Sequence, residues 1–458
     1  MSSSPPTDPQ RLAYEFPDPD RPASAAPTEG GLEAAQNDLL HGPYAAWKHR
    51  PFTLFSAGYS AALIGGQIQG AAVAWEIYSH GHRAMDLGWL GLVQALPVML
   101  LALPAGHVAD RFDRRKVVMV GQTIALLCSA ALAWLSWAAA HSAVSYQWFY
   151  VPLFISSAAF TFSRAARHSM LPALMPPAAF TNAVTWNSSI FELSQVIGPS
   201  LGGVVIALQF KSGQSLWLAY AIAVILQTLY VMFLMLLRTR PMPPTVRRAG
   251  DDDIISGIRF VWRTKIILGT ITLDLFAVLL GGATYMLPVF ADKVLHVGPM
   301  GYGLLRAAPS LGAIVMALLQ AHRPPMKQAG RALIWAVIGF GLATVVFGLS
   351  HSFLLSLAML FLTGAFDNIS VVIRHTLVQV LTPDDMRGRV SAVNNVFIGA
   401  SNELGGLESG VTAEWFGLVP SVVAGGIGTV MVVGAVALIW PQVRRFGSLH
   451  EASEGDTG

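Results

Sequence analysis

The sequence predicts an all-α membrane protein with twelve transmembrane helices arranged in two pseudo-symmetric six-helix bundles. Its composition, its long apolar runs and an internal repeat carry this prediction. Of the 458 residues, 53% are hydrophobic and 12% are charged, whereas a soluble globular protein carries about 25% charged residues. Most of the surface must therefore face lipid rather than water.

Apolar runs of about 20 residues mark membrane-spanning helices, and the sequence contains twelve of them. They fall near residues 52–77, 87–109, 117–140, 147–168, 187–209, 216–237, 266–290, 301–320, 331–350, 353–374, 391–413 and 418–440. A longer polar segment separates the sixth span from the seventh, and residues 254–261 within it are predicted to form a short surface helix. The predicted organisation is a disordered cytoplasmic tail (1–45), an N-terminal bundle (46–238), a cytoplasmic linker (239–265), a C-terminal bundle (266–445) and a second cytoplasmic tail (446–458).

The basic residues predict the orientation of the chain. If the N-terminus is cytoplasmic and the loops alternate, all but four of the 29 Lys and Arg fall in cytoplasmic loops or tails. The exceptions are Arg83, Lys211, Lys293 and Arg306. Because cytoplasmic loops collect Lys and Arg, both termini are predicted to be cytoplasmic. Residues 1–45 are rich in Pro, Ser, Ala and Asp and show no cleavable signal peptide.

The two halves of the chain repeat each other. An Arg-His pair ends both span 4 and span 10, at an offset of 207 residues. The matched positions at this offset include Arg167 and Arg374, Pro176 and Pro383, Gly198 and Gly405, and Gly203 and Gly410. Residues 91–97 similarly match 303–309. Chance similarity among apolar helices is the alternative, and the repeated Arg-His and Pro positions disfavour it. Parallel repeats of this kind predict a two-fold axis along the membrane normal, with a solute site between the halves.

A dense cluster of charge lies between spans 2 and 3. It reads Gly106-x-x-x-Asp110-Arg111, followed by Arg114-Arg115-Lys116. This pattern resembles the signature loop between helices 2 and 3 of major facilitator superfamily transporters. Two departures are present: Asp113 stands where the signature usually has Gly, and the corresponding loop at 321–327 has lost its acidic residue.

The resemblance implies a conformational lock on the cytoplasmic side, in the first half only. Gly106 would let span 2 approach span 11, and a charge cluster would favour the outward-open state. The residues assigned to this cluster are Asp110, Arg111, Arg114 and Arg115, with Arg164 or Arg167. The alternative for the last two is that they are surface charges near the inner end of span 4.

Further segments resemble the bacterial branch of this superfamily that contains the enterobactin exporter and drug and siderophore efflux proteins. They are residues 92–97, 287–291, 386–394 and 402–405. The branch implies a monomeric, proton-coupled exporter of a drug-like compound or siderophore, which works by alternating access in the bacterial inner membrane. An importer or facilitator and a lysolipid flippase of the same fold are the alternatives, because related transporters carry different solutes.

Other function classes are disfavoured by what the sequence lacks. It has no Gly-x-x-x-x-Gly-Lys-Ser/Thr loop, so ATP is not an evident energy source. The scattered histidines show no metal-ligand spacing and there is no nucleophile motif, which leaves a membrane-embedded enzyme as a remote alternative. The single Cys128 excludes an intramolecular disulfide. The basic residues are spread over many loops, so no nucleic acid partner and no cofactor are expected.

Span 5 carries Gly198-Pro199-Ser200-Leu201-Gly202-Gly203. This stretch resembles the Gly-Pro-x-x-Gly-Gly core of a motif of proton-coupled drug exporters, although Ser194 replaces an expected glycine. Small residues let helices approach closely and a proline kinks a helix. Simple helix packing is an equally supported interpretation of Gly198, Pro199, Gly202 and Gly203.

Charged groups inside a bilayer are costly unless they are paired or wetted, so each is a candidate for function. The resemblance implies that spans 1, 4, 7 and 10 line a central cavity. The candidates for proton or substrate binding are Gln69, Glu76, Glu192, Asp274, Tyr285, Asp367 and Arg374. Glu76 has the alternative of being wetted at the outer end of its span, and Arg306 is a candidate to neutralise a buried carboxylate. Asp274 and Asp367 are the hardest to explain by structure alone.

Overall fold

The computed structural model describes residues 42–142, 144–211, 215–237, 254–323, 326, 328–383 and 386–447. The predictions of disorder in the N-terminal tail and of a C-terminal tail fall almost wholly outside these residues. Most of the predicted linker lies outside them as well. Where the sequence predicts twelve spans, the described ranges contain twelve long helical segments.

The segments are labelled α1 to α12 in chain order. The first six are α1 (Arg50–Gly81), α2 (Ala84–Arg111), α3 (Arg114–His141), α4 (Tyr150–Leu174), α5 (Pro177–Lys211) and α6 (Trp217–Leu236). The second six are α7 (Lys265–Val294), α8 (Gly298–Ala321), α9 (Ala329–Leu349), α10 (Phe353–Leu381), α11 (Arg387–Phe416) and α12 (Leu418–Ile439). Nine of them are long and apolar enough to cross a membrane, as judged over the described residues. The other three, α1, α4 and α11, have spanning length but are less apolar, and the count of twelve fits the prediction.

Helices α4, α5 and α10 extend more than five residues beyond their predicted spans, and α10 ends at Leu381 rather than at residue 374. Span 4 was predicted to end at residue 168 and span 5 to begin at 187, whereas α4 continues to Leu174 and α5 begins at Pro177. The added turns of α4 and α5 pack into the buried cluster of the N-terminal half, which includes Leu171, Leu174, Ala179 and Ala183. A proline fits at the first position of a helix, since that amide has no partner within the helix.

Helix α7 is interrupted, which the unbroken apolar run of span 7 did not predict. Regular α-helix ends at Leu280, and a 3₁₀ segment follows at Gly282–Met286. A short α-turn and a π-helical segment, Phe290–Val294, complete the span. The interruption packs against α11.

The packing of the two bundles repeats. In the N-terminal half, α1 packs on α5 and α6, α3 on α4 and α6, and α2 on α4. In the C-terminal half, α8 packs on α10, and α9 on α10 and α12. The halves meet through two long contacts, α2 with α11 and α5 with α8. Under the sequence repeat α2 corresponds to α8 and α5 to α11, so these contacts are equivalent and fit a pseudo-two-fold arrangement.

The buried apolar residues differ between the two ends of the molecule. We call the end that holds the α1–α2 loop the outer end and the opposite end the cytoplasmic end, following the distribution of basic residues. Towards the outer end, one cluster combines both halves, with Trp75 and Tyr220 from the first and Phe290, Tyr302 and Phe347 from the second. At the cytoplasmic end, the clusters formed by described residues each belong to one half.

A short helix, Ile254–Arg263, precedes α7 and is called the linker helix. Its Val261 is buried in a cluster with Ile267 of α7 and Val390 of α11. Gly257 lies against the backbone of Arg389, which a Cβ on that glycine would meet at 3.1 Å. The linker helix therefore packs as part of the C-terminal half.

Candidate functional site

A buried ion pair joins two helices of the C-terminal half. The Arg374 guanidinium on α10 contacts the Asp274 carboxylate on α7, and their side chains are 3% and 7% exposed. Because an uncompensated buried charge is costly, this pairing accounts for both residues within the apolar interior. Arg374 and Asp367 lie on the same helix, seven residues apart. Spacing along one helix cannot reveal a partner on another, so the pair was not predicted.

Asp367 lies half a span away from either end of α10 and is half-buried. Together with Asp274 it lines a small cavity whose other walls include Phe340 of α9 and Phe366 and Ser370 of α10. This cavity lies between α7, α9 and α10. Two of the predicted acidic candidates are therefore brought to one place, one of them paired with arginine.

Glu192 on α5 approaches Asp367 from the opposite half. The two carboxylates are close enough for their charges to interact, and Glu192 is half-buried. Like charges in a low-dielectric region repel each other. The structure thus brings an acidic group from each half to the middle of the molecule.

Arg306 extends from α8 of one half to α1 of the other. One of its guanidinium nitrogens lies 3.3 Å from the position that a Cβ would take on Gly70. Another donates to the Tyr302 hydroxyl at 3.0 Å. The arginine that the sequence proposed as a neutralising group therefore sits at the boundary between the halves, against the backbone of α1.

Gln69 and Glu76 lie inside the N-terminal half, in two polar layers seven residues apart. In the first layer, Gln69 accepts from Ser129 at 2.5 Å and from Gln227 at 3.4 Å. In the second, Glu76 accepts from Ser136 at 2.6 Å and from Tyr220 at 2.7 Å.

Both layers connect α1 to α3 and α6 rather than to α7 or α10. Glu76 is 2% exposed, so the alternative of a wetted glutamate at the outer end is wrong. Sequence reasoning missed the serines and their partners on α6. The available signal was the spacing of seven residues, which recurs between Ser129 and Ser136 and between Tyr220 and Gln227.

Tyr285 occupies the interruption of α7. Its ring lies against Gly406 of α11, where an added Cβ would stand 2.8 Å from a ring carbon. Gly282, in the same 3₁₀ segment, packs against the backbone of Gly405. This candidate therefore lies at the packing contact between the interruption and α11.

Side chains from both halves close the outer end. The Tyr78 hydroxyl on α1 donates to the Asp292 carboxylate of α7 at 2.7 Å. The Trp75 and Tyr302 rings lie 5.6 Å apart across the boundary. Arg83 forms an exposed ion pair with Glu414 of α11 at 2.9 Å.

Glycines make two close crossings between the halves. A Cβ on Gly203 of α5 would stand 2.8 Å from the Cα of Gly303 on α8. At the other crossing, a Cβ on Gly88 of α2 would stand 3.1 Å from the Cα of Gly410 on α11. Gly203 and Gly410 are equivalent in the sequence repeat, so each half contributes the matching glycine to one crossing, whereas Gly303 matches Gly91 rather than Gly88. Both crossings leave no room for a side chain.

The other residues of the span 5 motif pack in two directions. Gly198 lies against Gln67 of α1, and Gly202 lies against Ile68 and Ala71 of the same helix. The carbonyl of Pro199 faces Gly303 of α8. One turn before the motif, Gln195 accepts a hydrogen bond from Gln67. The motif thus places α5 against both α1 and α8.

The predicted lock residues surround the cytoplasmic ends of α2, α3 and α4. Asp110 and Arg111 are exposed. Arg114 donates to the Ser169 carbonyl at 3.0 Å, and Arg115 donates at 2.8 Å to the carbonyls of Leu234 and Met235. These carbonyls lie near the C-terminal ends of α4 and α6, where cations are favourable. The contacts of both arginines described here stay within the N-terminal half.

Asp113, the departure from the signature, caps helix α3. Its carboxylate accepts from the backbone amides of Arg115 and Lys116 at 2.9 and 3.3 Å. Aspartate is among the preferred residues at this position because it satisfies amides that have no partner within the helix. The substitution therefore has a local structural role.

The arginines of α4 point to different neighbours. An Arg164 guanidinium nitrogen lies 4.0 Å from the Cβ position of Gly399 on α11. Arg167 lies over the Tyr59 ring at 4.4 Å. A Cβ placed on Gly106 meets no described atom within 4 Å. In this state the close approach of α2 to α11 is at Gly88 rather than at Gly106.

Comparison with known proteins identifies the family. The profile of the family described as "Transmembrane secretion effector" matches residues 41–455. The enterobactin exporter EntS of Citrobacter koseri is 28% identical over 390 residues, which cover 82% of this chain and 88% of that protein. The multidrug efflux pump Tap of Mycolicibacterium fortuitum is 26% identical over 403 residues, covering 87% and 97%.

A solved structure shares the fold. It is a bacterial homologue of the human lysosomal transporter Spinster in an inward-facing, unoccupied conformation. The TM-score is 0.69 at 15% identity, covering 86% of this chain and 98% of that one. The helical architecture and the family match agree with the sequence resemblance. The chain is a multi-pass membrane protein of the major facilitator superfamily of transporters, and belongs to its transmembrane secretion effector family.

Proposed function

We propose that this protein exports a drug-like compound or a siderophore from the bacterial cytoplasm by proton-coupled alternating access. It acts as a monomer in the inner membrane, with both termini cytoplasmic, and without any enzymatic step. The names of the relatives, an enterobactin exporter and a multidrug efflux pump, support export of a small molecule. The observation that carries the proposal is the approach of Glu192 and Asp367 from opposite halves beneath a closed outer end.

The two carboxylates give a physical basis for coupling. When both are charged they repel, and a proton on either one removes that repulsion. A proton gained from outside therefore favours bringing the halves together around the middle. Loss of that proton to the cytoplasm accompanies loading of the solute. Alternating access requires two packings of the halves with nearly equal energy, so a single charge can shift the balance.

The cytoplasmic charge cluster acts in the opposite state. When the cytoplasmic ends of the halves close, Asp110 and Arg111 on α2 approach α11, with Gly106 at the contact. Arg164 and Arg167 complete this lock from α4. In the present state the outer end is closed, and the lock residues lie at the opposite end of the molecule.

The test is a transport assay in inside-out vesicles with an acidic lumen. A panel of lipophilic dyes and catecholate siderophores is added outside, and proton movement is followed by a quenched acridine. A transported compound is expected to release protons from the lumen. Asp367→Asn should abolish this release, whereas Asp113→Asn should preserve it because asparagine also caps a helix. Uptake without proton release would contradict proton coupling, and solute movement only in the reverse direction would make the protein an importer.

A further inference from the structure

We propose that the linker helix is a membrane-surface element that binds the anionic headgroups of the adjacent leaflet. Three pairs of its described residues form stripes, each made by positions four residues apart, as on one face of an α-helix, and Ser256 and Phe260 form a fourth, half-buried pair. Gly257 and Val261 form the buried stripe against the C-terminal half. The other two stripes are exposed and differ in chemistry.

The first exposed stripe is apolar. Ile258 is 40% exposed and Trp262 is 67% exposed. Only Thr264 separates this helix from α7, so it lies at the level where that span leaves the membrane. Tryptophan is enriched at this boundary because its ring is apolar while its indole N–H is polar. The stripe therefore fits the edge of the hydrocarbon layer.

The second exposed stripe is basic. Arg259 and Arg263 are both exposed and lie beside the apolar stripe. Arg389 of α11 adds a third guanidinium on the same side, since one of its nitrogens donates to the Ser256 hydroxyl at 3.4 Å. The acidic residues of this segment, Asp251 to Asp253, precede the helix in the sequence. The described part of the helix carries basic charge only.

The two stripes together specify the ligand. An amphipathic helix with aromatic and aliphatic residues on one side and arginines next to them lies in the interface plane. Its arginines attract anionic phospholipid headgroups, and arginine matches the geometry of a phosphate. A phosphatidylglycerol-rich leaflet meets both requirements. The inference depends on the proposed function only in naming that leaflet cytoplasmic.

The first test measures lipid binding by the purified full-length protein. Phosphatidylglycerol is titrated into detergent-solubilised protein, and binding is followed by thermal stabilisation. Arg259→Gln/Arg263→Gln should weaken phosphatidylglycerol binding by about fivefold per arginine. Arg323→Gln/Arg331→Gln, which alters two exposed arginines elsewhere at the same end of the C-terminal half, should bind as the parent does. Equal affinity of both double variants would overturn the proposal.

The second test measures how deeply the linker helix lies in the membrane, and it does not require transport. Spin labels are placed singly at residues 258, 259, 262 and 263 of a Cys128→Ala protein in phosphatidylcholine vesicles with or without phosphatidylglycerol. Labels at 258 and 262 should be more accessible to oxygen than to a water-soluble nickel chelate, and labels at 259 and 263 the reverse. High nickel accessibility at all four positions would show that the helix stands clear of the membrane. If the linker helix proved to lie outside the membrane, the proposed export function would not be affected. If export were disproved, the measured depth of the linker helix would still be valid.

Discussion

The outer and cytoplasmic ends of this transporter are built differently. At the outer end, apolar residues of both halves share one buried cluster. Tyr78 bonds to Asp292 there, and glycine crossings bring α5 onto α8 and α2 onto α11. At the cytoplasmic end, the described clusters belong to single halves, and Arg114 and Arg115 bond to carbonyls of their own half.

This difference shows where the molecule is free to move. Separating the halves at the outer end would expose apolar surface and break contacts across the boundary. At the cytoplasmic end each half keeps its own core whether or not the halves touch. The state described here is therefore closed at the outer end, and opening that end requires new contacts at the cytoplasmic end to compensate. We propose that the predicted lock residues supply them.

The largest effect is expected from breaking the ion pair within the C-terminal half. Arg374→Met leaves the Asp274 carboxylate buried without its partner, which should cost about 3–5 kcal/mol of stability. Thermal unfolding of the detergent-solubilised protein measures this loss. Asp274→Asn/Arg374→Met removes both charges and should recover most of it. If the double variant were as unstable as the single one, the pair would not be the source of the effect.

A smaller effect is expected at a glycine crossing. Gly203→Leu forces α5 away from α8 and should cost the closed state about 1–3 kcal/mol, the usual range for overpacking. Because the cytoplasmic cores are separate, the substitution should open the outer end without unfolding either half. Labelling of an outer-end cysteine by an impermeant maleimide reports the opening. Gly434→Leu is the control, since a Cβ there meets no described atom within 4 Å. Unchanged labelling in Gly203→Leu would contradict the role of the crossing.

Removing a single hydrogen bond between the two halves should destabilise the closed outer end by a still smaller amount. Tyr78→Phe keeps the ring in the outer cluster and deletes the bond to Asp292, which is exposed and regains water. A bond of this type contributes about 1 kcal/mol, so the outward-open fraction should rise about fivefold. The same labelling assay measures it. Tyr146→Phe, which removes a hydroxyl near the outer surface of the N-terminal half, serves as the comparison and should leave labelling unchanged.

The exposed ion pair of the outer end should matter least. Arg83 and Glu414 have side chains that are 63% and 32% exposed, so water and salt screen their attraction. Arg83→Gln is expected to leave both thermal stability and outer-end labelling unchanged, at low and at high salt. A loss comparable to that in Tyr78→Phe would mean that this pair, rather than the buried cluster, holds the end closed.

Much of the fold could be predicted from sequence because the bilayer imposes simple rules. Apolar runs locate the spans, and the offset of 207 residues relates Gly203 to Gly410, each of which lies at a crossing between the halves. Features that depend on neighbouring helices could not be predicted. The partner of Arg374 and the orientation of Glu76 towards α3 and α6 are set by packing, not by spacing along one helix. The interruption of α7 was missed because the span was located by its overall apolar length, although Gly281-Gly282 and Pro288 are helix-breaking signals within it.

The candidate site was predicted in part. Asp367 and Glu192 were selected as intramembrane acids, and they approach each other in the structure. Their proximity could not be read from the sequence because they lie on helices of different halves. The role of Asp113 as a helix cap was likewise missed, although its position directly before Arg114-Arg115 is a typical capping signal.

Distances measured at both ends of one protein test most directly whether the two ends open in alternation. In a Cys128→Ala background, one spin-labelled pair at His141 and His351 reports the outer end, and another at Lys116 and Arg323 reports the cytoplasmic end. All four positions are exposed. Without substrate, the distances between the two outer labels should be narrowly distributed, and those between the two cytoplasmic labels more broadly. A proton gradient with a transported compound should lengthen the outer distance while it shortens the cytoplasmic one. Two distances that change in the same direction, or an outer distribution as broad as the cytoplasmic one, would contradict the account.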